Sequence, residues 1–186
     1  MDKCLRCHNY SVGRVMKRCP LCGRILTRLR KDSNEIVIRG LCPEDRDKLI
    51  RFYEQLSDET IYTRFFSIIR YFDPYVDKLV SSSGILAIVA EEASSGEIVG
   101  VAELVLDKEG RAEGGIIVLE RMQGKGIGTA MALSMKELAK EYGIRKVYGY
   151  ILADNIKALR LVKKLGGRPK SYYSSMIYVE IPVEDG

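Results

Sequence analysis

Three glycines within five residues, followed at once by a helical pattern, constrain this chain more than any other feature of its sequence. Gly124, Gly126 and Gly128 open the segment GKGIGTAMALSMKELAKEYG, which carries apolar residues at helical spacing. Because glycine destabilises a helix, the clustering indicates that a ligand approaches the backbone closely. Unpaired N–H groups at a helix start, together with the helix dipole, attract anions. The segment therefore predicts a phosphate site.

Two well-known phosphate loops do not match this segment. The loop of nucleotide hydrolases needs G-x-x-x-x-G-K-[ST], and the dinucleotide fingerprint needs G-x-G-x-x-G. The spacing here is Gly124-x-Gly126-x-Gly128, which satisfies neither pattern. Taken alone, the glycines leave a tight turn as the alternative interpretation.

The remaining patterns predict an α/β protein, with a mixed α+β sheet and helices on both of its faces. Strands are predicted at residues 35–41, 84–92, 97–107, 112–120, 145–152 and 171–181. Helices are predicted at residues 42–56, 57–72, 74–80, 126–142 and 154–166. A short linker around Thr27–Asn34 is expected to separate an N-terminal module, residues 1–31, from a larger domain, residues 35–182.

Two motifs at the right separation carry a family resemblance. IIVLERMQGKGIGTAMALSMKELAKEYGI, in which Gln123, Gly126 and Gly128 form a Gln-x-x-Gly-x-Gly core, resembles the acetyl-CoA motif of the GNAT superfamily of N-acetyltransferases. Downstream, NIKALRLVKKLGG resembles the second motif of that family. The resemblance implies a GNAT fold, an acyltransferase activity and acetyl-CoA as co-substrate.

The same resemblance implies which residues hold the coenzyme. The backbone of Ile116, Ile117 and Val118 would pair with the pantetheine arm, and Asn155 would contact the coenzyme farther along. The diphosphate would be held by a continuous run of residues: Gln123, Gly124, Lys125, Gly126, Ile127, Gly128 and Thr129. Gly114-Gly115 could mark the opening in the sheet for the arm, with a bulge of no function as the alternative.

The second motif departs from the family in two places. Val162 stands where family members often have a tyrosine that protonates the departing thiolate, and Gly167 replaces an aromatic residue. If the geometry allows, the role of this general acid could be taken by one of four other tyrosines: Tyr148, Tyr150, Tyr172 and Tyr173. Because coenzyme A thiolate is a tolerable leaving group, a reaction without a general acid is the alternative.

The segment LSDETIYTRFF resembles part of the bacterial and archaeal protein lysine acetyltransferases, and therefore implies a protein acceptor. An amphipathic helix that buries Ile61, Phe65 and Phe66 explains its aromatic residues but leaves Arg64, which we expect to order a carboxylate or a loop. The alternative acceptor is a small amine, such as a polyamine or an amino acid.

An amine acceptor must lose a proton before it attacks a thioester. For a lysine with a pKa near 10.4, deprotonation at pH 7 costs about 4.6 kcal/mol. The resemblance to the protein acetyltransferases implies Glu113 as the first catalytic base, and Glu103 on the preceding strand is the second candidate, each with an ordinary exposed glutamate as its alternative. Glu120 is disfavoured because its charge would oppose the diphosphate. Direct attack in a ternary complex is expected, since no cysteine has the setting of a nucleophile.

The N-terminal module carries two Cys-x-x-Cys pairs. Four thiolates satisfy tetrahedral Zn²⁺, and a segment this short cannot fold on a core of its own. Cys4, Cys7, Cys19 and Cys22 are therefore predicted to form a zinc ribbon with a structural metal, two disulfides being the alternative. The neighbouring His8 and the fifth cysteine, Cys42, are interpreted as incidental.

Charge is distributed unevenly along the chain. Residues 1–31 hold nine basic residues and one acidic residue, a net charge of +8, so the rest of the chain carries −3 of the total of +5. Such a basic head favours nucleic acid or a nucleic-acid-bound protein as partner, with a solvated surface as the alternative. A non-catalytic, acyl-CoA-sensing regulator is the remaining functional alternative. Because the N-terminus lacks an apolar signal core, we expect a cytoplasmic protein without membrane contact.

Overall fold

The computed structural model describes residues 21–31 and 34–183, together with the backbone of two short strands, β1 (Asp2–Lys3) and β2 (Tyr10–Ser11). The larger strands are β3 (Ile25–Lys31), β4 (Asn34–Gly40), β5 (Ile85–Glu92), β6 (Ile98–Leu106), β7 (Arg111–Val118), β8 (Lys146–Leu152), β9 (Arg168–Tyr173) and β10 (Met176–Pro182). The helices are α1 (Arg46–Glu54), α2 (Asp58–Phe65), α3 (Asp73–Ser81), α4 (Ile127–Glu141) and α5 (Ile156–Lys164).

Eight of these strands form one sheet in the order β3-β4-β5-β6-β7-β8-β10-β9. Neighbouring strands are antiparallel at every step except β7–β8, which is parallel. The fold is thus the mixed α/β architecture that the sequence predicts.

Helices cover the sheet on both faces. A Cβ at Gly100 of β6 would lie 2.9 Å from the sulfur of Met131, which places α4 on one face. A Cβ at Gly115 of β7 would overlap the guanidinium of Arg64, which places α2 on the opposite face. Beside α2, four aromatic rings from α1, α2 and α3 pack edge-to-face or stacked, and they fix this layer on the sheet. They are Tyr53, Phe65, Phe72 and Tyr75.

Three segments differ from their sequence-based predictions. The linker expected around Thr27–Asn34 is instead part of a hairpin, because β3 pairs with β4 as the edge strand of the main sheet. The helix expected to reach residue 72 ends at Phe65, since Phe66 adopts the left-handed conformation with φ of 56°. The last predicted strand is a hairpin of β9 and β10, which turns at Ser174 with φ of 53°.

The hairpin result bears on the N-terminal module. Leu21, which lies between two predicted zinc ligands, is 2% exposed and belongs to the main core. Residues 21–31 are therefore packed with the large domain, and the division into residues 1–31 and 35–182 stays a prediction. Among the described residues, no helix is both long enough and apolar enough to span a membrane.

Candidate active site

The parallel strands β7 and β8 separate after a short paired stretch. Arg111, Ala112 and Glu113 pair with Lys146, Val147 and Tyr148, and the ladder stops there. Beyond Glu113, no described strand pairs with Gly114–Val118 on the β8 side. Backbone groups of this edge therefore face a gap, as a strand needs to bind an extended ligand. Ile116, Ile117 and Val118, predicted to hold the pantetheine arm, lie on this edge.

A cleft of about 170 Å³ occupies the gap and reaches both faces of the sheet. On the α4 face its walls are apolar and come from Met135 of α4 and from Leu161 and Val162 of α5. On the α2 face they come from Thr63 and Arg64. One ligand can therefore enter from the α4 face and meet a second from the α2 face.

The glycine segment lies between the end of β7 and the start of α4. Gly124 and Gly126 have φ of 74° and 85°, a left-handed conformation that favours glycine. No described residue accepts a hydrogen bond from the backbone N–H groups of residues 124–129. A Cβ at Gly124 or Gly126 would meet no atom within 4 Å, so the space above these donors is open. The segment fits the diphosphate of coenzyme A.

The side chain of Gln123 makes two hydrogen bonds that fix the start of this segment. Its side-chain Nε2 donates to the carbonyl of Val118 at 3.1 Å, and its Oε1 accepts from Lys157 Nζ at 3.1 Å. Asn155 lines the cleft and caps α5, its Oδ1 accepting from the N–H of Ala158 at 3.1 Å. Lys157 was not among the residues predicted from the sequence. A lysine in the first turn of a helix opposes the helix dipole, and that signal could have indicated a nearby anion.

On the α2 face, Glu103 is the centre of a buried polar cluster. The carboxylate is 4% exposed, and its Oε1 accepts hydrogen bonds from Arg64 and from the hydroxyl of Tyr75, the latter at 2.5 Å. Arg64 thus orders a carboxylate, one of its two predicted roles. Burial, with the charge of Glu103 added, raises the pKa of Tyr75 well above its ordinary value, so Tyr75 remains a donor.

Gly115 makes this cluster possible. It lies opposite Glu103 in the β6–β7 ladder, and any side chain there would overlap the Arg64 guanidinium. Gly114 faces the other way, where a Cβ would lie 2.8 Å from Val147. The β6–β7 register is continuous through both glycines, so close packing rather than a bulge explains them.

The cluster leaves buried polar atoms without partners. Within the described part of the chain, Glu103 Oε2, Arg64 Nε and the Tyr53 hydroxyl have no hydrogen-bond partner. Because buried polar atoms are normally satisfied, such a concentration indicates a site for a bound group. Glu103 and Arg64 both line the cleft, which places this unsatisfied polarity beside the gap between the strands.

Glu113, the first predicted base, lies at the last paired position before the gap. It is exposed and pairs with Tyr148 across the parallel ladder. In the antiparallel ladder it pairs with Val105, two residues from Glu103, so both predicted bases lie on the α2 face. Burial, with the charge of Glu113 added, raises the pKa of Tyr148.

The four alternative tyrosines separate into two pairs. Tyr148 and Tyr150 line the cleft, whereas Tyr172 and Tyr173 lie on β9 and are 70% and 56% exposed. The second departure from the family has a packing cause. A Cβ at Gly167 would lie within 2.7 Å of both Val162 and Ile181, so no aromatic side chain fits there.

Glu120 does not face the phosphate segment. Its carboxylate accepts from the N–H and the hydroxyl of Ser57, the residue that caps α2. The predicted metal ligands Cys4, Cys7 and Cys19 lie outside the described residues. The fourth, Cys22, lies beside Cys42.

A split parallel strand pair, a cleft between the two strands and an anion-binding helix start together define an enzyme that binds coenzyme A. The comparisons with known proteins agree. The model of the acetyltransferase (GNAT) family matches residues 49–167, and the chain belongs to this family. It is an acyltransferase that uses acetyl-CoA. An acetyltransferase of Pseudomonas aeruginosa is 27% identical over 135 residues, which cover 69% of this chain and 72% of that protein.

Solved structures share the fold. The GNAT domain of S. lividans PAT superimposes with a TM-score of 0.75 at 24% identity, over 84% of this chain and 96% of that domain. Spermidine N-acetyltransferase from Vibrio cholerae, solved with CoA and spermine, superimposes with a TM-score of 0.66 at 18% identity, over 79% of this chain and 95% of that protein.

Proposed function

We propose that this enzyme acetylates a lysine side chain of a protein by direct attack within a ternary complex. The observation that carries the proposal is the cleft between β7 and β8, which is open to both faces of the sheet. The coenzyme enters from the α4 face and the lysine from the α2 face. The two reactants then meet beside Gly115, next to both glutamates.

Each part of the coenzyme has residues that suit it. The unpaired N–H groups of residues 124–129 bind the diphosphate, with Lys125 and Lys157 adding positive charge. The free edge of Ile116–Val118 pairs with the amide groups of the pantetheine arm, and Asn155 contacts the coenzyme beside α5. When bound, acetyl-CoA supplies an activated acetyl group on its thioester.

Glu113 is the proposed base. Its carboxylate is exposed at the edge of the gap, where a lysine that arrives from solvent can deliver its proton. Glu103 is buried and already accepts from Arg64 and Tyr75, so we assign it to ordering the side chains that position the acceptor. Tyr148 lines the cleft with a raised pKa and can return a proton to the thiolate.

The charge of the cleft favours lysine over a polyamine. The charged side chains that line it are Arg64, Lys136 and Glu103, and the proposed base Glu113 stands at its edge, which gives two cations and only two anions. A polyamine carries several positive charges and needs several carboxylates, whereas a lysine brings one charge. Small amines are the second proposed class of acceptor, because the fold is similar to that of a spermidine acetyltransferase.

An aromatic surface next to the gap suits a polypeptide. Tyr148, Tyr150 and Tyr178 pack together on the α2 face of β8 and β10, with ring centroids 6.0 and 5.4 Å apart. Tyr150 is 42% exposed. Rigid, partly exposed tyrosines favour contact with a protein.

We also propose that the N-terminal residues form a basic zinc ribbon that recruits the substrate, through nucleic acid or a protein bound to it. The support is in the sequence: the Cys-x-x-Cys pairs and the net charge of +8 over residues 1–31. Changing Arg14, Lys17 and Arg18 to Gln in the full chain tests the recruitment. Acetylation of a nucleic-acid-bound protein should fall while a free peptide is acetylated as before.

The decisive experiment for the acceptor uses labelled acetyl-CoA. The enzyme is incubated with a lysate from its own source and, separately, with a panel of polyamines and amino acids. We expect label on lysines of one or a few proteins and little on the small amines. Label confined to a small amine would replace the proposal by the second one.

A further inference from the structure

Cys42, interpreted from the sequence as incidental, lies next to a predicted metal ligand. The sulfur atoms of Cys22 and Cys42 and a carboxylate oxygen of Glu44 all lie within 4.8 Å of one another. Two thiolates on a tetrahedral zinc with Zn–S bonds of about 2.3 Å are about 3.8 Å apart, so this spacing suits two ligands of one ion. Cys22 comes from the N-terminal segment, whereas Cys42 connects β4 to α1.

The turn that carries Cys22 is held firmly against the catalytic domain. Gly23 donates to the carbonyl of Gly40 at 3.2 Å, and Gly40 donates back to the carbonyl of Arg24 at 2.9 Å. A side chain at Gly40 would overlap the carbonyl of Leu21. Arg24 also pairs with Glu141 at the end of α4. The position of Cys22 beside Cys42 therefore follows from backbone packing on both sides of the turn.

Cys42 is held as firmly. Its N–H donates to Asp45 at 2.9 Å, and the Asp45 carboxylate is 5% exposed and bound by two nitrogens of Arg39 at 2.7 and 2.8 Å. A ligand fixed in this way loses little conformational entropy on binding a metal.

We propose that Cys22 and Cys42 bind one zinc ion together, with Glu44 adjacent, so that the metal joins the N-terminal module to the acetyltransferase sheet. The inference rests on the proposed zinc binding by Cys22 and is independent of acetyl transfer. Five cysteines are present for four tetrahedral positions, and Cys42 takes one of them.

The Cys22–Cys42 pair lies close to the same level of the sheet as the gap where the acceptor is proposed to enter. Leu41 donates to Ala87, Ala87 pairs with Glu103, and Glu103 pairs with Gly115, so the four residues lie level across β4, β5, β6 and β7. Three strand spacings are about 14 Å. A metal bound by Cys22 and Cys42 would therefore lie at the level of the gap, about three strand spacings from it.

Thiol protection in the full-length protein, loaded with zinc, tests the inference. Cysteines are alkylated with and without a chelator, and the modified positions are mapped by mass spectrometry. We expect both Cys22 and Cys42 to be protected until the zinc is removed. If Cys42 reacts at the same rate in both conditions while Cys22 responds, the inference is wrong and the separate zinc ribbon stands.

A matched pair of variants supplies the second readout. Cys42→Ala should weaken zinc affinity at least tenfold. Mutating a residue that only hydrogen-bonds to a metal ligand already lowers metal affinity by about tenfold or more. Cys42→His keeps a ligand and should restore most of it, while the visible spectrum of the Co²⁺-loaded form changes because nitrogen replaces sulfur. A spectrum identical to wild type, a Cys22–Cys42 disulfide in reduced preparations, or no zinc uptake by wild type would each overturn the inference. The last of these would also remove the ribbon, while acetyl transfer would remain to be measured separately.

Discussion

Glu120 accepts two hydrogen bonds from Ser57, one from the backbone N–H at 2.9 Å and one from the hydroxyl at 2.6 Å. Glu120 lies in the turn that leads from β7 to the glycine segment, and Ser57 caps α2, which lines the cleft. One carboxylate thus connects the proposed coenzyme site with the proposed acceptor site. The family resemblance gave Glu120 no role, and the structure shows it turned away from the diphosphate position.

Acid should weaken this connection. Burial alone would raise the pKa of Glu120, but hydrogen bonds from Ser57 and Thr60 lower it to about 2. Because the pKa is lower in the folded state, the stabilisation is complete above the ordinary glutamate pKa of about 4.3 and is lost as the pH falls toward 2. We expect Glu120→Gln to lower the melting temperature at pH 6 to 7 by a few degrees, and this difference should shrink below pH 4. Glu54→Gln, at an exposed helix end, serves as the control and should show no such pH dependence.

The left-handed glycine at the start of α4 should matter for coenzyme binding. Gly126 has φ of 85°, where a residue with a side chain is strained by about 1–2 kcal/mol. In Gly126→Ala the backbone can relieve this strain by rotating, and the rotation turns the N–H groups away from the diphosphate. We expect KM for acetyl-CoA to rise about 5- to 30-fold. Gly143→Ala places the same strain, at φ of 70°, at the other end of α4. That variant should lose similar stability with an unchanged KM, and an equal rise in KM would contradict the assignment.

Removing Arg64 should destabilise the protein far more than removing a nearby arginine. Arg64→Gln leaves the buried Glu103 charge without its cation, which costs about 3–5 kcal/mol. Arg70 pairs with Asp58 in an exposed position, so Arg70→Gln should cost at most about 1 kcal/mol. Urea unfolding of both variants measures the difference. Gly115→Ala should resemble Arg64→Gln because the added methyl displaces the guanidinium.

The two glutamates of the α2 face should respond differently to substitution. Glu113→Gln removes the proposed base, and kcat at pH 7 should fall by about 10²- to 10⁴-fold. The deficit should shrink as the pH approaches the lysine pKa of about 10.4, where the amine deprotonates without help. Glu103→Gln should mainly raise KM for the acceptor and lower stability. Glu137→Gln on the exposed side of α4 is the control for both. If Glu113→Gln keeps full activity at pH 7, the base lies elsewhere.

Much of the fold followed from local patterns. The strands from β4 to β8 and the helices α1, α4 and α5 alternate or repeat clearly enough to be predicted within a few residues of their observed bounds. Two of the three failures occurred where the backbone takes a rare conformation. Phe66 and Ser174 have positive φ without being glycine, so neither the end of α2 nor the turn of the last hairpin carried a signal.

The proposed coenzyme side of the site was also accessible to prediction from the sequence, because Gln123–Thr129 is one continuous segment, and its role stays a prediction. The acceptor side was less so. Glu103, Arg64 and Tyr75 are joined only by the fold, since Arg64 and Glu103 are 39 positions apart in the sequence. Likewise, Cys22 and Cys42 lie close together because β3 pairs with β4 in the main sheet. The sequence of β3 is basic and alternating, and most of it was assigned to a linker, so this proximity was not predicted.

The short β7–β8 ladder makes the sheet two sub-sheets joined along a seam of three residue pairs. The C-terminal sub-sheet has a small core of its own, built on Val162, Ile177 and Val179. An extended ligand bound in the opening would supply hydrogen bonds that the two strands do not make with each other. Binding of the ligand should therefore stabilise the connection between the two sub-sheets. At a hundred times its dissociation constant, such a molecule adds about 2.7 kcal/mol of stability. The resistance of the protein to unfolding should therefore increase with the concentration of acyl donor around it.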